Sequence, residues 1–195
     1  MQSLLAEMFS FEALAVVLAV AYLLLAARES LWCWYCAFVS SALYVVIFWD
    51  VSLLMDSVLN GFYVVMAVIG WQQWRSGGSE QTGVQIISMP WQQHVLLLLV
   101  MVLVSWLSGW LMARYTTEAW PLLDSFTTWA SVITTIMVVR KVLENWLYWL
   151  LIDSISLYLY IDRELYLTAA LFAAYLVIVV FGYMQWRRIY LARLL

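Results

Sequence analysis

The side chains that suggest chemistry lie in the sixth apolar run of the chain, where indole, carboxylate, hydroxyl and phenol groups alternate with leucine and isoleucine. Trp146, Trp149, Asp153, Ser156 and Tyr160 recur at helical spacing, so a helix places them on one face. These residues also have a purely structural explanation. Trp146 can belong to an aromatic belt at the membrane interface, and Asp153 can form a hydrogen bond to a neighbouring helix. An ionisable group in mid-span is costly, however, and marks a functional pathway. We therefore interpret Asp153 as a functional residue.

A second polar stripe occurs in the third apolar run, where Asp56, Asn60 and Tyr63 follow one another at spacings of four and three. Asp56 is predicted to lie near the outer membrane surface. A carboxylate there is explained equally well by contact with water and by contact with a ligand. Asn60 lies deeper, and its donor and acceptor require partners from a ligand or from a neighbouring helix. Ser41 and Asn145 supply further groups that can recognise amino, amide or hydroxyl substituents.

The two stripes together predict the kind of ligand. Indole faces attract a cation held near the ring, and carboxylates balance its charge, so the favoured ligand is a small, flat aromatic cation. The predicted substrate-binding residues are Ser41, Asp56, Asn60, Tyr63, Asn145, Trp146, Trp149, Asp153 and Tyr160.

Other chemistries are disfavoured by the residue types in the sequence. His94 is the sole histidine, so a clustered metal site is not expected. The only lysine, Lys141, lies at a helix boundary, whereas a retinal Schiff base needs one in mid-helix. Cys33 and Cys36 form a C-x-x-C pattern inside an apolar run and are interpreted as small hydrophobic residues. The sequence contains no P-loop and no nucleophile elbow, so we predict neither enzyme activity nor a cofactor.

The elements that must position these residues are membrane-spanning helices. The chain of 195 residues is 67% hydrophobic and 11% charged, and its net charge of -3 offers no basic face for nucleic acid. Only helices are expected, because open strands leave backbone groups unpaired in lipid. The apolar runs that suit a bilayer crossing are Glu12 to Ala27, Leu31 to Trp49, Ser52 to Trp74, His94 to Ala113, Leu123 to Val139, Val142 to Tyr160 and Tyr166 to Trp186. The predicted fold class is an all-α integral membrane protein with seven transmembrane helices.

The cationic residues predict the orientation of these helices. Seven of the nine Lys and Arg residues follow odd-numbered helices, so that side is expected to be cytoplasmic. The N-terminus then lies outside, and the C-terminus lies inside, a cytoplasmic (inner) membrane. The polar stretch from Ser76 to Gly83 is predicted to be flexible.

A shift of 112 residues reveals an internal repeat, in which Val68 to Arg75 (VIGWQQWR) lies over Val180 to Arg187 (VFGYMQWR) and Trp34 lies over Trp146. Helices one to three thus match helices five to seven. Because one helix separates them, both triplets run in the same direction, which predicts a parallel 3+1+3 duplication of the kind found in SWEET transporters. The predicted segments are a first repeat at 1–75, a cytoplasmic linker at 76–91, a linking helix at 92–119 and a second repeat at 120–195.

Several short motifs resemble the Pnu family of vitamin transporters, whose members carry nicotinamide riboside or thiamine. They are Phe11-Glu12-Ala13, Gly70-Trp71, Asp124-Ser125 and, most specifically, Arg140-Lys141-x-x-Glu144-Asn145-Trp146-x-x-Trp149. The resemblance covers almost the whole chain. It implies a 3+1+3 fold, a homotrimer with a pathway in each subunit, and facilitated diffusion whose direction is set by a cytoplasmic kinase that phosphorylates the vitamin.

The choice of vitamin depends on where the chain departs from the family. Nicotinamide riboside carriers tend to have glutamine at the position of Asn60, and their sixth helix does not usually contain Tyr148 and Asp153. Asparagine is one methylene shorter than glutamine, so its amide group lies further from the ligand. A site built to hydrogen-bond a ligand discriminates strongly between ligands that do and do not reach this amide. Thiamine is therefore the preferred prediction, and nicotinamide riboside is the alternative. The rival class is a membrane sensor or scaffold, in which the aromatic stripes are packing surfaces only.

Overall fold

The computed structural model describes residues 2–50, 54–77, 83–115, 120–162, 164 and 166–194. These residues form seven helices, which confirms the predicted all-helical class and the number of apolar runs. The helices are α1 (Gln2–Ala27), α2 (Trp32–Asp50), α3 (Leu54–Ser76), α4 (Trp91–Tyr115), α5 (Pro121–Val139), α6 (Asn145–Asp162) and α7 (Tyr166–Ala192).

Apolar length alone identifies four of the described helices as long and apolar enough to cross a membrane, and these helices are α2, α4, α5 and α7. The shorter segment Phe11–Ala27 of α1 is also apolar. Helices α3 and α6 are outside this group, and they carry the polar side chains of the two predicted stripes. Two helices outside this group therefore carry most of the predicted ligand-binding residues.

The chain divides into two compact units, and the first comprises residues 1–85. In this unit α2 packs against both α1 and α3. The hydroxyl of Ser40 donates to the carbonyl of Ala15 at 2.8 Å, and that of Ser57 donates to the carbonyl of Val45 at 2.9 Å. Such bonds join helices where lipid provides no hydrophobic driving force.

The second unit comprises residues 86–195. Here α4 packs on α5, α5 packs on α6, and α6 packs on α7. A cluster of Met101, Ala130 and Ile152 forms a buried core that α4, α5 and α6 share. One face of α4 remains exposed and consists of leucine, valine and tryptophan side chains, as expected for a surface against lipid.

The turn before α2 and the turn before α6 have the same backbone geometry. Glu29 and Lys141, which are 112 residues apart, adopt positive φ angles of 54° and 51°. The N–H group of each donates to the carbonyl three residues earlier, at 3.0 and 2.9 Å, and the N–H group of the next residue donates to the carbonyl five residues earlier, at 3.0 and 2.9 Å. Both turns are therefore Schellman motifs that use a non-glycine residue in the left-handed region.

The segment 76–91, predicted to be a cytoplasmic linker, differs from a free linker in its second half. Residues 78–82, within its polar stretch, lie outside the described residues. Ile86–Met89 is not a free linker, because backbone hydrogen bonds join Ile87 to the turn between α5 and α6. Helix α4 begins at Trp91, three residues before the predicted His94.

Candidate functional site

The first turn of α6 holds two buried polar side chains. Asn145 is fully buried, and its Nδ2 donates to the carbonyl of Val142 at 2.6 Å, in the turn that precedes the helix. Its Oδ1 has no hydrogen-bond partner, and neither does the buried Nε1 of Trp146. An unpaired polar atom in a low-dielectric interior costs free energy, so successive residues present an unused acceptor and an unused donor.

The indole of Trp146 is fixed by close packing against α7. Its ring meets the ring of Trp186 edge-on, with centroids 5.4 Å apart and planes at 88°. Gly182 lies beneath the same ring, and a Cβ atom there would come within 2.6 Å of it. The indole therefore occupies a slot that only glycine leaves open.

Asp153 lies seven residues after Trp146, which places it about 10 Å further along the helix on the same face. It is 5% exposed, and no hydrogen bond to its carboxylate is present among the residues that the structure describes. Ser156 is buried one turn further on. The predicted polar face of α6 is therefore buried within the second unit, as expected of residues that avoid lipid.

The two remaining predicted residues of α6 make contacts with other protein groups. Trp149 is half-buried and packs against the shared core of α4, α5 and α6. The ring of Tyr160 lies 5.0 Å from that of Phe172 in α7, with planes tilted by 37°. Part of each ring surface is thus used in packing, and ligand stacking on these rings stays a prediction.

In the first unit, the structure places the predicted residues on α2 and α3. Ser41 is buried on α2, Asp56 is exposed at the start of α3, and the ring of Tyr63 lies 5.8 Å from that of Phe62. The Nδ2 of Asn60 donates to the carbonyl of Asp56 at 2.9 Å, within its own helix. One N–H group of this amide is therefore satisfied by the helix backbone and not by a ligand or a second helix, and a role for Asn60 in ligand binding stays a prediction.

Sequence reasoning missed a network at the start of α6. The carboxylate of Glu144 accepts hydrogen bonds from the hydroxyl of Ser88 and from the N–H of Met89, the latter at 3.2 Å. The Nε2 of His94 lies 3.9 Å from the same carboxylate, and its Nδ1 lies 2.9 Å from the hydroxyl of Tyr148. The sole histidine was predicted only to begin α4, and the spacing of 50 residues between His94 and Glu144 offers no local pattern.

A second missed residue is Thr134 of α5, which is fully buried with an unpaired hydroxyl. Its neighbour Thr135 instead donates to the carbonyl of Ser131, at 2.7 Å. Paired threonines in an apolar helix are the one sequence signal that points to this position. In the membrane interior a threonine hydroxyl usually bonds its own helix, so the unpaired one is an additional candidate for ligand contact.

Comparison with known proteins decides the family. Over residues 10–188, the sequence matches the family described as nicotinamide mononucleotide transporter. The chain belongs to this family. Its fold is similar to that in the crystal structure of the vitamin B3 transporter PnuC, with a TM-score of 0.73, 18% identity, and coverage of 91% of this chain and 80% of that chain. A comparison with curated protein sequences finds no match.

Family membership confirms the predicted resemblance to the Pnu transporters, so the chain is a multi-pass membrane transporter. It does not support the preference for thiamine. That preference gave weight to the side chains of Asn60 and of α6, whereas both similarities concern vitamin B3 compounds. The alternative ligand of the sequence analysis, nicotinamide riboside, fits these findings better.

Proposed function

We propose that this transporter carries nicotinamide riboside across the membrane. The observation that carries the proposal is the pair of unpaired buried atoms at the start of α6, the Oδ1 of Asn145 and the Nε1 of Trp146. A primary carboxamide contains an N–H donor and a carbonyl acceptor, which match these two atoms in chemistry. A ligand that satisfies buried polar atoms recovers their desolvation cost, and an analogue that lacks the groups is rejected strongly.

Asp153 provides the second interaction by which the protein would recognise the ligand. Its buried carboxylate lies about 10 Å from Trp146 along the helix, a separation within the length of a nucleoside. With the carboxamide at the start of α6, this carboxylate lies on the ribose side of the pyridinium ring and attracts the positive charge of the ring across the low-dielectric interior. The same carboxylate repels the phosphate of nicotinamide mononucleotide, so the nucleoside is the favoured form of the vitamin.

Thiamine is the second candidate because it is also a cation and carries an amino donor beside a ring nitrogen. The contacts of α6 suit both vitamins. Our preference for nicotinamide riboside therefore rests on the family of the chain and on its fold similarity to the vitamin B3 transporter.

The 3+1+3 duplication belongs to the same proposal. Each unit contains one Schellman turn at equivalent positions, and in each a tryptophan packs edge-on against a second tryptophan over a glycine. The resemblance to the Pnu family further implies a homotrimer, an outward N-terminus in an inner membrane, and trapping of the vitamin by a cytoplasmic kinase. These remain proposals about the assembled transporter.

A side-by-side titration tests the choice of ligand. The purified protein is titrated with nicotinamide riboside, thiamine and nicotinamide mononucleotide while the fluorescence of its 13 tryptophans is followed. We expect saturable binding of nicotinamide riboside, and affinities at least about tenfold lower for the other two compounds. Asn145→Leu, which keeps the branched shape and removes the amide, should weaken the binding of nicotinamide riboside. Tighter binding of thiamine would contradict the proposal.

A further inference from the structure

The first four residues of the second unit form a strap, which we define as Ile86–Met89. The N–H of Ile87 donates to the carbonyl of Lys141 at 3.0 Å, and the N–H of Leu143 donates to the carbonyl of Ile87 at 2.8 Å. Ile86 is 4% exposed and anchors the strap by burial. The strap thus adds a single parallel β-bridge to the turn that precedes α6.

Glu144 holds the other end of the strap. Both of its carboxylate oxygens are used, one by the hydroxyl of Ser88 and the other by the N–H of Met89. Hydrogen bonds to an ionised acceptor are stronger than those between neutral groups. The ring of His94, from α4, stacks at 5.8 Å on that of Tyr148, so α4 and the strap converge on the same turn of α6.

The turn that the strap covers has a counterpart in the first unit. The equivalent turn in the first unit has the same pattern of backbone hydrogen bonds and the same positive φ angle, at Glu29. No backbone hydrogen bond from another segment reaches that turn within the described ranges. At the position equivalent to Glu144 it has Trp32, which is 68% exposed. The carboxylate that holds the strap in the second unit thus has no counterpart at the equivalent position of the first.

What the second unit adds is the polar start of α6. The strap fixes the backbone on both sides of Val142, whose carbonyl accepts from the Nδ2 of Asn145 at 2.6 Å. This bond determines that Oδ1 is the atom of the amide left for a ligand. The equivalent residue of the first unit is Cys33, which has no amide to orient.

We propose that the strap is a permanent brace that positions Asn145 and Trp146 toward the ligand, and that Glu144 is the positioning residue that holds it. The brace rests on the proposed function, because its purpose is to orient the two groups that recognise the vitamin. It stays closed throughout the transport cycle. Glu144 acts through the strap and does not itself contact the vitamin.

Replacing the carboxylate bridge by a removable covalent one tests this role. In a background with Cys33→Ala and Cys36→Ala, the pair Ser88→Cys and Glu144→Cys removes the natural bridge. A reducible bis-thiosulfonate linker with a one-carbon spacer then restores a connection of similar length. Binding of nicotinamide riboside, its transport into liposomes, and hydrogen exchange of the first α6 turn are each measured with and without the linker.

Without the linker, we expect nicotinamide riboside to bind about tenfold more weakly than to the cysteine-free parent, because the recognition groups lose their fixed geometry. With the linker, affinity and transport should both return to within about threefold of the parent. Three results would overturn the brace. They are normal binding without the linker, weak binding despite it, and restored binding with blocked transport, which would mean that the strap must open.

Hydrogen exchange separates the brace from the proposed ligand. Amides of the first α6 turn should exchange faster in the unlinked pair and return to the parental rate when linked, with no ligand present. If the parent itself fails to bind nicotinamide riboside, the proposed function fails while the exchange data still test the brace. Asp162→Asn is the matched control at the far end of α6, where the carboxylate accepts from the Nε1 of Trp120 at 2.7 Å. This control should leave both exchange of the first turn and binding unchanged.

Discussion

At the scale of single residues, the site is marked by polar atoms that the protein leaves unpaired. The Oδ1 of Asn145 and the Nε1 of Trp146 have no partners, and no hydrogen bond to Asp153 is present in the part of the chain that the structure describes. In the interior such groups are costly unless a ligand completes them. They present an acceptor, a donor and a carboxyl group along about 10 Å of one helix.

The proposed electrostatic role of Asp153 can be tested with a substitution that keeps the shape of the side chain. Asp153→Asn preserves the size of the side chain and removes the carboxylate that we propose attracts the cationic ring. We expect the affinity for nicotinamide riboside to fall about tenfold, which corresponds to about 1.4 kcal/mol. The measurement is the same fluorescence titration that identifies the ligand.

The reduced form of nicotinamide riboside is the matched comparison, because its dihydropyridine ring is uncharged and otherwise similar. Its affinity should change less than about twofold in Asp153→Asn, since the lost interaction is electrostatic. Equal losses for both compounds would show that Asp153 supports the fold and does not recognise the cation.

Residue types predicted part of this site. The cost of a carboxylate in mid-span pointed to Asp153, and the structure places it in a buried position. The unpaired atom of Asn145 was not predictable, because it depends on which side of the amide meets the carbonyl of Val142. For Asn60, the sequence predicted partners on a ligand or on a second helix. The structure instead shows that its own helix supplies the acceptor for one N–H group.

At the scale of elements, each unit is locked by a tryptophan over a glycine. Trp34 meets Trp74 with centroids 5.1 Å apart and planes at 85°, much as Trp146 meets Trp186. Gly70 lies against the ring of Trp34 as Gly182 lies against that of Trp146. Helix α2 is thereby fixed to α3, and α6 to α7, by contacts that tolerate no added atom.

Adding one methyl group tests this lock. Gly70→Ala and Gly182→Ala each force a Cβ atom into a buried indole, so both should destabilise the protein by about 1–3 kcal/mol. The effect is read as a lower Tm of the detergent-solubilised protein. Because the two positions are 112 residues apart, similar losses would also support the repeat.

Gly61→Ala provides the control on α3. No atom lies within 4 Å of the position that its Cβ would occupy. Alanine there should leave Tm unchanged or raise it, since glycine in a helix interior is less stable than alanine by about 0.5–1 kcal/mol. If all three variants leave Tm unchanged or raise it, helix propensity explains the data and the lock does not.

Helices were predictable because apolar length is a local property of the sequence. The observed helices contain the predicted apolar runs to within a few residues, except that α6 begins at Asn145 rather than Val142. Its start is displaced because residues 140–144 form the turn that binds the strap. The strap itself joins Ile87 to Val142 through backbone groups, and no periodicity of side chains encodes such a bridge.

At the scale of the whole molecule, the family of the chain shows a membrane transporter, and its fold is similar to that of a solved vitamin transporter. If the protein is instead a sensor or scaffold, it can bind the vitamin but does not transport it. The proposed mechanism is facilitated diffusion, in which the carrier equilibrates its substrate and phosphorylation inside the cell prevents its return. Transport therefore distinguishes this account from its rival more directly than binding does.

The decisive measurement is uptake of labelled nicotinamide riboside into liposomes that contain the purified protein, with no sodium, proton or electrical gradient. We predict saturable entry that stops when the inside concentration equals the outside concentration, and faster exit when unlabelled nicotinamide riboside is added outside. Uptake no faster than in protein-free liposomes would contradict the transporter assignment for this substrate. Accumulation above the outside concentration when a gradient is imposed would contradict facilitated diffusion.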